Sequence, residues 1–168
     1  SIMRRFALLL LFSCLGLSAP PAPIRVLVWD ERQPEQKKGY AGAFLGDTLA
    51  KHLSAQPGLS VKSVGMDDPD QGLDDVTLAA TDVVVFWCHK RPLEQDDARM
   101  EALVKRVQAG KTGFIALHSA HWAKPFVRLM QERAKADALA QVPAAERATA
   151  QWTYLNDKPY RVMPKKGA

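Results

Sequence analysis

The chain has 168 residues, with 23 Lys+Arg against 18 Asp+Glu, 47% hydrophobic and 24% charged residues, which is ordinary globular usage. That excludes a disordered tail, a collagenous chain and a disulfide-stapled miniprotein, and the length suits one domain. The net charge of +5 does not form a nucleic-acid face: Arg4 and Arg5 open the chain, residues 133–168 hold seven basic and three acidic residues, and residues 19–132 hold 14 basic and 15 acidic. A phosphate-binding surface needs clustered Lys and Arg to release counterions, so no nucleic-acid partner is expected.

Met3-Arg4-Arg5 precedes a nearly apolar run from Phe6 to Leu17, followed by Ser18-Ala19-Pro20-Pro21-Ala22-Pro23. A basic start, a short apolar stretch and a small-residue exit describe a secretory signal peptide over residues 1–18, with cleavage before Ala19. Residues 19–23 form a Pro-rich linker. The apolar run falls short of the roughly 20 residues a spanning helix needs, so the protein is expected to be exported, periplasmic or extracellular, with no membrane span after signal removal. Competing readings are a buried N-terminal helix and lipid attachment at Cys14. Cys88 is the one other cysteine, so removal of the signal leaves no internal disulfide.

From Ile24 the pattern alternates strand and helix. Ile24 to Trp29 is a short, mainly apolar run with three β-branched residues and reads as a strand. Residues 30–39 read as a loop. Ala41 to Ser54 carries apolar residues at Ala43, Phe44, Leu45, Leu49, Ala50 and Leu53, an amphipathic helix, and Gln56-Pro57-Gly58 ends it. Leu59 to Val64 reads as the second strand, and Asp74 to Ala80 as a short helix with an acidic start. Val83 to Cys88 is continuously apolar, as a strand buried on both faces would be. Glu94 to Ala109 is a helix stopped at Gly110, Thr112 to Leu117 the fourth strand, and residues 124–141 a last helix with Pro125 in its first turn.

This alternation predicts an α/β, flavodoxin-like three-layer parallel sheet of order 2-1-3-4 with helices on both faces. The domain covers residues 24–141, and residues 142–168 form an irregular basic tail. Ligands of such sheets bind beyond the carboxyl ends of the strands, near the reversal between strands one and three. Trp29-Asp30-Glu31, Trp87-Cys88-His89 and Leu117-His118-Ser119-Ala120-His121-Trp122 all fall on that rim.

The rim residues admit several chemistries. His89, His118 and His121 are candidate zinc ligands, since neutral imidazoles bind zinc at about 2.0–2.1 Å and a catalytic zinc keeps one position open. Asp30 or Glu31 would add an oxygen ligand or orient a ring, and bound water would ionise near pH 7. The same histidines could instead act as metal-free acids or bases, or bond loop backbone without chemistry. Trp29, Trp87 and Trp122 offer flat apolar faces for a sugar, although strand-end tryptophans also serve as core. Ser119, in a strand-to-helix turn, is a nucleophile candidate or a cap for the following helix; it lacks the flanking glycines of a hydrolase elbow. Cys88 and His89 point to opposite faces, which favours a buried structural thiol. No glycine lies between Asp30 and Lys38, so a nucleotide cofactor is not expected.

Val26-Leu27-Val28-Trp29-Asp30-Glu31, Pro69-Asp70-Gln71-Gly72-Leu73, Thr81 through His89, and Leu117-His118-Ser119-Ala120-His121, with Lys124, Phe126 and Arg128-Leu129-Met130 after them, resemble the trehalose-utilisation (ThuA-like) family over residues 24–130. The resemblance implies a class I glutamine amidotransferase-like fold and a role in the use of disaccharides or keto-sugars, with a small-molecule carbohydrate as partner. The amidotransferase elbow carries a cysteine; here the turn is His118-Ser119-Ala120-His121, so glutamine hydrolysis by the cysteine route is not expected. ThuA-like domains carry further strands and another histidine, so the chain reads as the N-terminal part of such a domain.

Taken together, these readings give hydrolytic or proton-transfer chemistry at catalytic or metal-binding His89, His118 and His121, with Trp122, Trp29, Asp30, Glu31 and Ser119 on the substrate. The alternatives are a non-catalytic sugar-binding domain and an inactive fragment.

Overall fold

The computed structural model describes residues 21–152. The expected signal segment at 1–18, with Cys14, lies outside the described residues, as do Ala19 and Pro20 of the linker and the tail beyond Trp152. Among the described residues no helix is long and apolar enough to cross a membrane.

Four parallel strands form one sheet: β1 (Ile24–Asp30), β2 (Leu59–Gly65), β3 (Val83–Trp87) and β4 (Gly113–Ala116), in the order β2-β1-β3-β4. This is the α/β flavodoxin-like arrangement expected from the alternation of elements. β1 is central, with Val28 opposite Ser63 on one side and Val85 on the other.

Side-chain alternation divides the core between the two sheet faces. Leu27, Trp29, Val84 and Phe86 pack on one face with Leu78 of α3 (Asp75–Ala79) and with Met100 and Leu103 of α4 (Asp97–Gln108). Val26, Val28 and Val85 pack on the other with Leu49, Ala50 and Leu53 of α2 (Leu45–Ser54). Burial on both faces is why Val26–Trp29 of β1 and the whole of β3 are continuously apolar.

The connections differ from the sequence reading in specific places. The segment read as a loop holds a one-turn helix, α1 (Gln36–Gly39). The helix expected from Ala41 begins at Leu45, because Ala41 and Gly42 take positive φ values of 52° and 89°, outside the helical region. Its first N–H groups find acceptors from elsewhere: Leu45 N donates to Gln36 Oε1 at 3.1 Å and Gly46 N to Asp30 Oδ2 at 2.7 Å. α4 starts after a 3₁₀ turn at Pro92–Glu94, where the Asp96 carboxylate accepts from Arg99 N at 2.8 Å. α5 (Lys124–Ala140) has Pro125 in its first turn, where a missing N–H costs nothing. Residues 141–152 are turns and coil.

Candidate functional site at the carboxyl rim of the sheet

β1, β3 and β4 end together, and the turns after them carry the candidate residues. Cys88 is buried while His89 is exposed, as expected for neighbours leaving a strand on opposite sides. After β4 the chain makes a 3₁₀ turn at Ala120–Trp122, with Ser119 just before it. The Ser119 side chain does not cap that turn. Its Oγ lies 2.7 Å from His89 Nδ1. Beside this contact, Trp87 Nε1 donates to the His118 carbonyl at 3.0 Å, which ties the turn after β4 to the end of β3.

His118 and His121 are also exposed on this rim, and the His121 ring lies 5.6 Å from that of Trp122. Among the described residues no three His, Cys, Asp or Glu side chains are grouped to hold a metal ion.

Asp30 and Glu31 are both buried. Asp30 accepts from Arg32 N at 2.8 Å, Gly46 N at 2.7 Å and Gln36 Nε2 at 3.3 Å. Glu31 accepts from Lys90 N, Arg91 N, the Cys88 thiol and the Gln33 side-chain amide. Burial pushes the Glu31 carboxyl up, but these four donors together hold it below its ordinary range. The Cys88 thiol moves the opposite way: burial and then the Glu31 carboxylate raise it far above the usual thiol range. A thiol held in its protonated form is a poor nucleophile.

Trp29 requires a correction. It is fully buried, stacked on Phe86 with ring centroids 4.1 Å apart and planes 3° apart, and its Nε1 donates to the Gln71 carbonyl at 2.8 Å. It is a core residue and presents no face to a sugar, because strand alternation turns it under the helices. Trp122 is the tryptophan that stands out at the rim, with 45% of its surface exposed. The direct donors to Glu31 were missed in the sequence: the N–H groups of Lys90 and Arg91 belong to the backbone, which no residue type signals. Gln33, two residues beyond Glu31, gave no pattern that singled it out.

The sequence model of the ThuA family, described as trehalose utilisation, matches residues 25–166. The chain belongs to this family. Its ThuA membership carries a general role in carbohydrate utilisation, and a small-molecule sugar is the ligand class that goes with it. The match runs through β1, β3 and the turn after β4, so the rim just described lies wholly inside the ThuA region. No curated protein matches the chain.

Proposed function

We propose that this ThuA protein carries out proton-transfer chemistry on a sugar, a keto-sugar in particular, at the rim where β3 and β4 end. The observation that supports this reading most is the contact between Ser119 Oγ and His89 Nδ1 at 2.7 Å. A hydroxyl bonded to one imidazole nitrogen holds the ring in place and leaves the other nitrogen to exchange a proton with a ligand. An acid or base placed in this way contributes about 10²–10⁴ in rate. Trp122, exposed beside His121, supplies the apolar face on which a sugar's C–H groups stack.

Solvent-deuterium exchange at the carbon beside a keto-sugar carbonyl, followed by NMR, tests the chemistry. Wild-type protein accelerates exchange in a sugar that it turns over, and His89→Gln removes the acceleration. Failure of a panel of keto-disaccharides to exchange, or an unaffected His89→Gln variant, overturns the reading. The second reading is sugar binding without catalysis, favoured by the exposed Trp122 ring. It calls for binding that is lost in Trp122→Ala and intact in His89→Gln. Export by residues 1–18 belongs to the same proposal and rests on Met3-Arg4-Arg5 and the apolar run after it. Cell fractionation with and without this segment checks it: retention of both forms in the cytoplasm rejects export.

A further inference from the structure

We propose that Glu31 is the positioning residue of the His89–Ser119 pair, its buried carboxylate fixing the turn on which His89 is carried. This rests on the functional reading above. The residues on both sides of His89 are bound to one carboxylate: Cys88 Sγ donates to Oε2 at 3.0 Å, Lys90 N to Oε1 at 2.9 Å and to Oε2 at 3.0 Å, and Arg91 N to Oε2 at 2.8 Å. Arg91 Nη1 closes the turn by donating to the Glu31 carbonyl at 2.8 Å. His89 itself, in the middle of this stretch, is exposed, and its Nδ1 meets Ser119.

The choice of a carboxylate here calls for a reason. An ion buried away from water is costly unless every lone pair is used, and an apolar side chain would often serve stability as well or better. An apolar side chain would, however, leave the N–H groups of Lys90 and Arg91 without an acceptor inside the protein, and buried backbone donors need one. Two oxygens with about four acceptor directions take the Cys88, Lys90 and Arg91 donors at once. The turn therefore has one hydrogen-bonded path, and the imidazole leaves it at one fixed place. The Arg91 guanidinium is itself held by Asp67 at 2.7 Å and Glu94 at 2.7 Å, so the far end of the turn is anchored too.

The test uses the full chain, without substrate, and reads the histidine ring signals by NMR, with His89 assigned through His89→Gln. In wild-type protein a cross-relaxation signal connects the His89 ring with the Ser119 methylene. Glu31→Gln keeps the shape but replaces one acceptor oxygen with a donor. The expected result is a signal weakened by roughly half or more, with broadened His89 resonances as the turn samples further conformations, while His52 on α2 is unchanged. Cys88→Ala removes a single flanking donor and shifts the same signals in the same direction by less. A folded Glu31→Gln protein with the wild-type His89 spectrum overturns the proposal. If Glu31→Gln does not fold, Cys88→Ala decides, and a wild-type His89 spectrum in that variant overturns it equally. An intact His89–Ser119 contact in a wild-type protein that exchanges no sugar proton would reject the functional reading and leave the positioning role in place.

Discussion

Ser119 Oγ and His89 Nδ1 approach to 2.7 Å across 30 residues of sequence, because β3 and β4 are parallel neighbours that end at the same level. The hydroxyl is the group that engages this imidazole, where the sequence suggested a meeting of imidazoles. Ser119→Ala therefore removes the partner that fixes the ring and leaves the ring present. We expect catalysed proton exchange to fall in Ser119→Ala, and to fall further in His89→Gln, toward the full loss of about 10²–10⁴ that an acid or base supplies. Exchange rates of the two variants on one sugar check this. Equal rates in Ser119→Ala and wild type would remove the serine from the site.

Trp29 and Trp122 are predicted to separate stability from binding. Trp29 is fully buried on Phe86, and truncating a large core aromatic costs about 3–5 kcal/mol. Trp29→Ala should lower the urea midpoint strongly, whereas Trp122→Ala should stay within about 0.5 kcal/mol, as exposed positions do. Isothermal titration with a sugar ligand should show the reverse order, with Trp122→Ala losing binding. Unchanged sugar affinity in Trp122→Ala would take that ring out of the binding surface.

Strand order was legible because it depends on signals that side chains carry. The β-branched runs at Val26–Val28 and Val83–Val85, separated by helical periodicity, permit few topologies. The rim position of His89 follows from the end of β3, and that of His118 and Ser119 from the end of β4. The role of Glu31 was not legible, since its direct partners include the backbone N–H groups of Lys90 and Arg91, and every non-proline residue carries that donor. Trp29 was misplaced for a related reason: a tryptophan at a strand end reads the same whether it turns up to the rim or down into the core. The start of α2 was misread because its N-terminus is capped from a distance by Asp30, with no capping side chain at Phe44.

That remote cap gives Gly46 a specific requirement. A Cβ at Gly46 would lie 2.7 Å from Asp30 Cβ, closer than two carbons can approach, and Gly46 N must stay within reach of Asp30 Oδ2. In most exposed helix positions Gly→Ala stabilises through helix propensity. Here the sign should reverse. Overpacking costs about 1–3 kcal/mol, and loss of a capping bond adds about 1 kcal/mol. Gly46→Ala should therefore lower the thermal midpoint, and a raised midpoint would show that α2 shifts freely away from β1.

Acid should weaken the other end of the sheet. Asp82, at the entry to β3, accepts from Arg25 Nη2 at 2.7 Å, Arg25 Nε at 3.0 Å and Arg25 N at 2.8 Å. The Arg25 side chain, followed by its backbone N–H, holds the Asp82 carboxyl down to about 2, against an ordinary 3.8. A folded-state value below the unfolded one stabilises the protein above the unfolded value, and the stabilisation is lost as pH falls through the folded one. The contribution of Asp82 is thus complete at neutral pH and disappears between about pH 4 and about pH 2. Asp82→Asn should be less stable than wild type at pH 7, with the gap closing across that window. Glu31, also held below its ordinary range, makes the folded state lose stability in the same direction, but it is present in both proteins and so leaves the difference between them to Asp82. Urea titrations of the two proteins at several pH values measure that difference, and a gap that stays constant down to about pH 2 would mean that the Arg25–Asp82 pair does not tie β1 to β3 in solution.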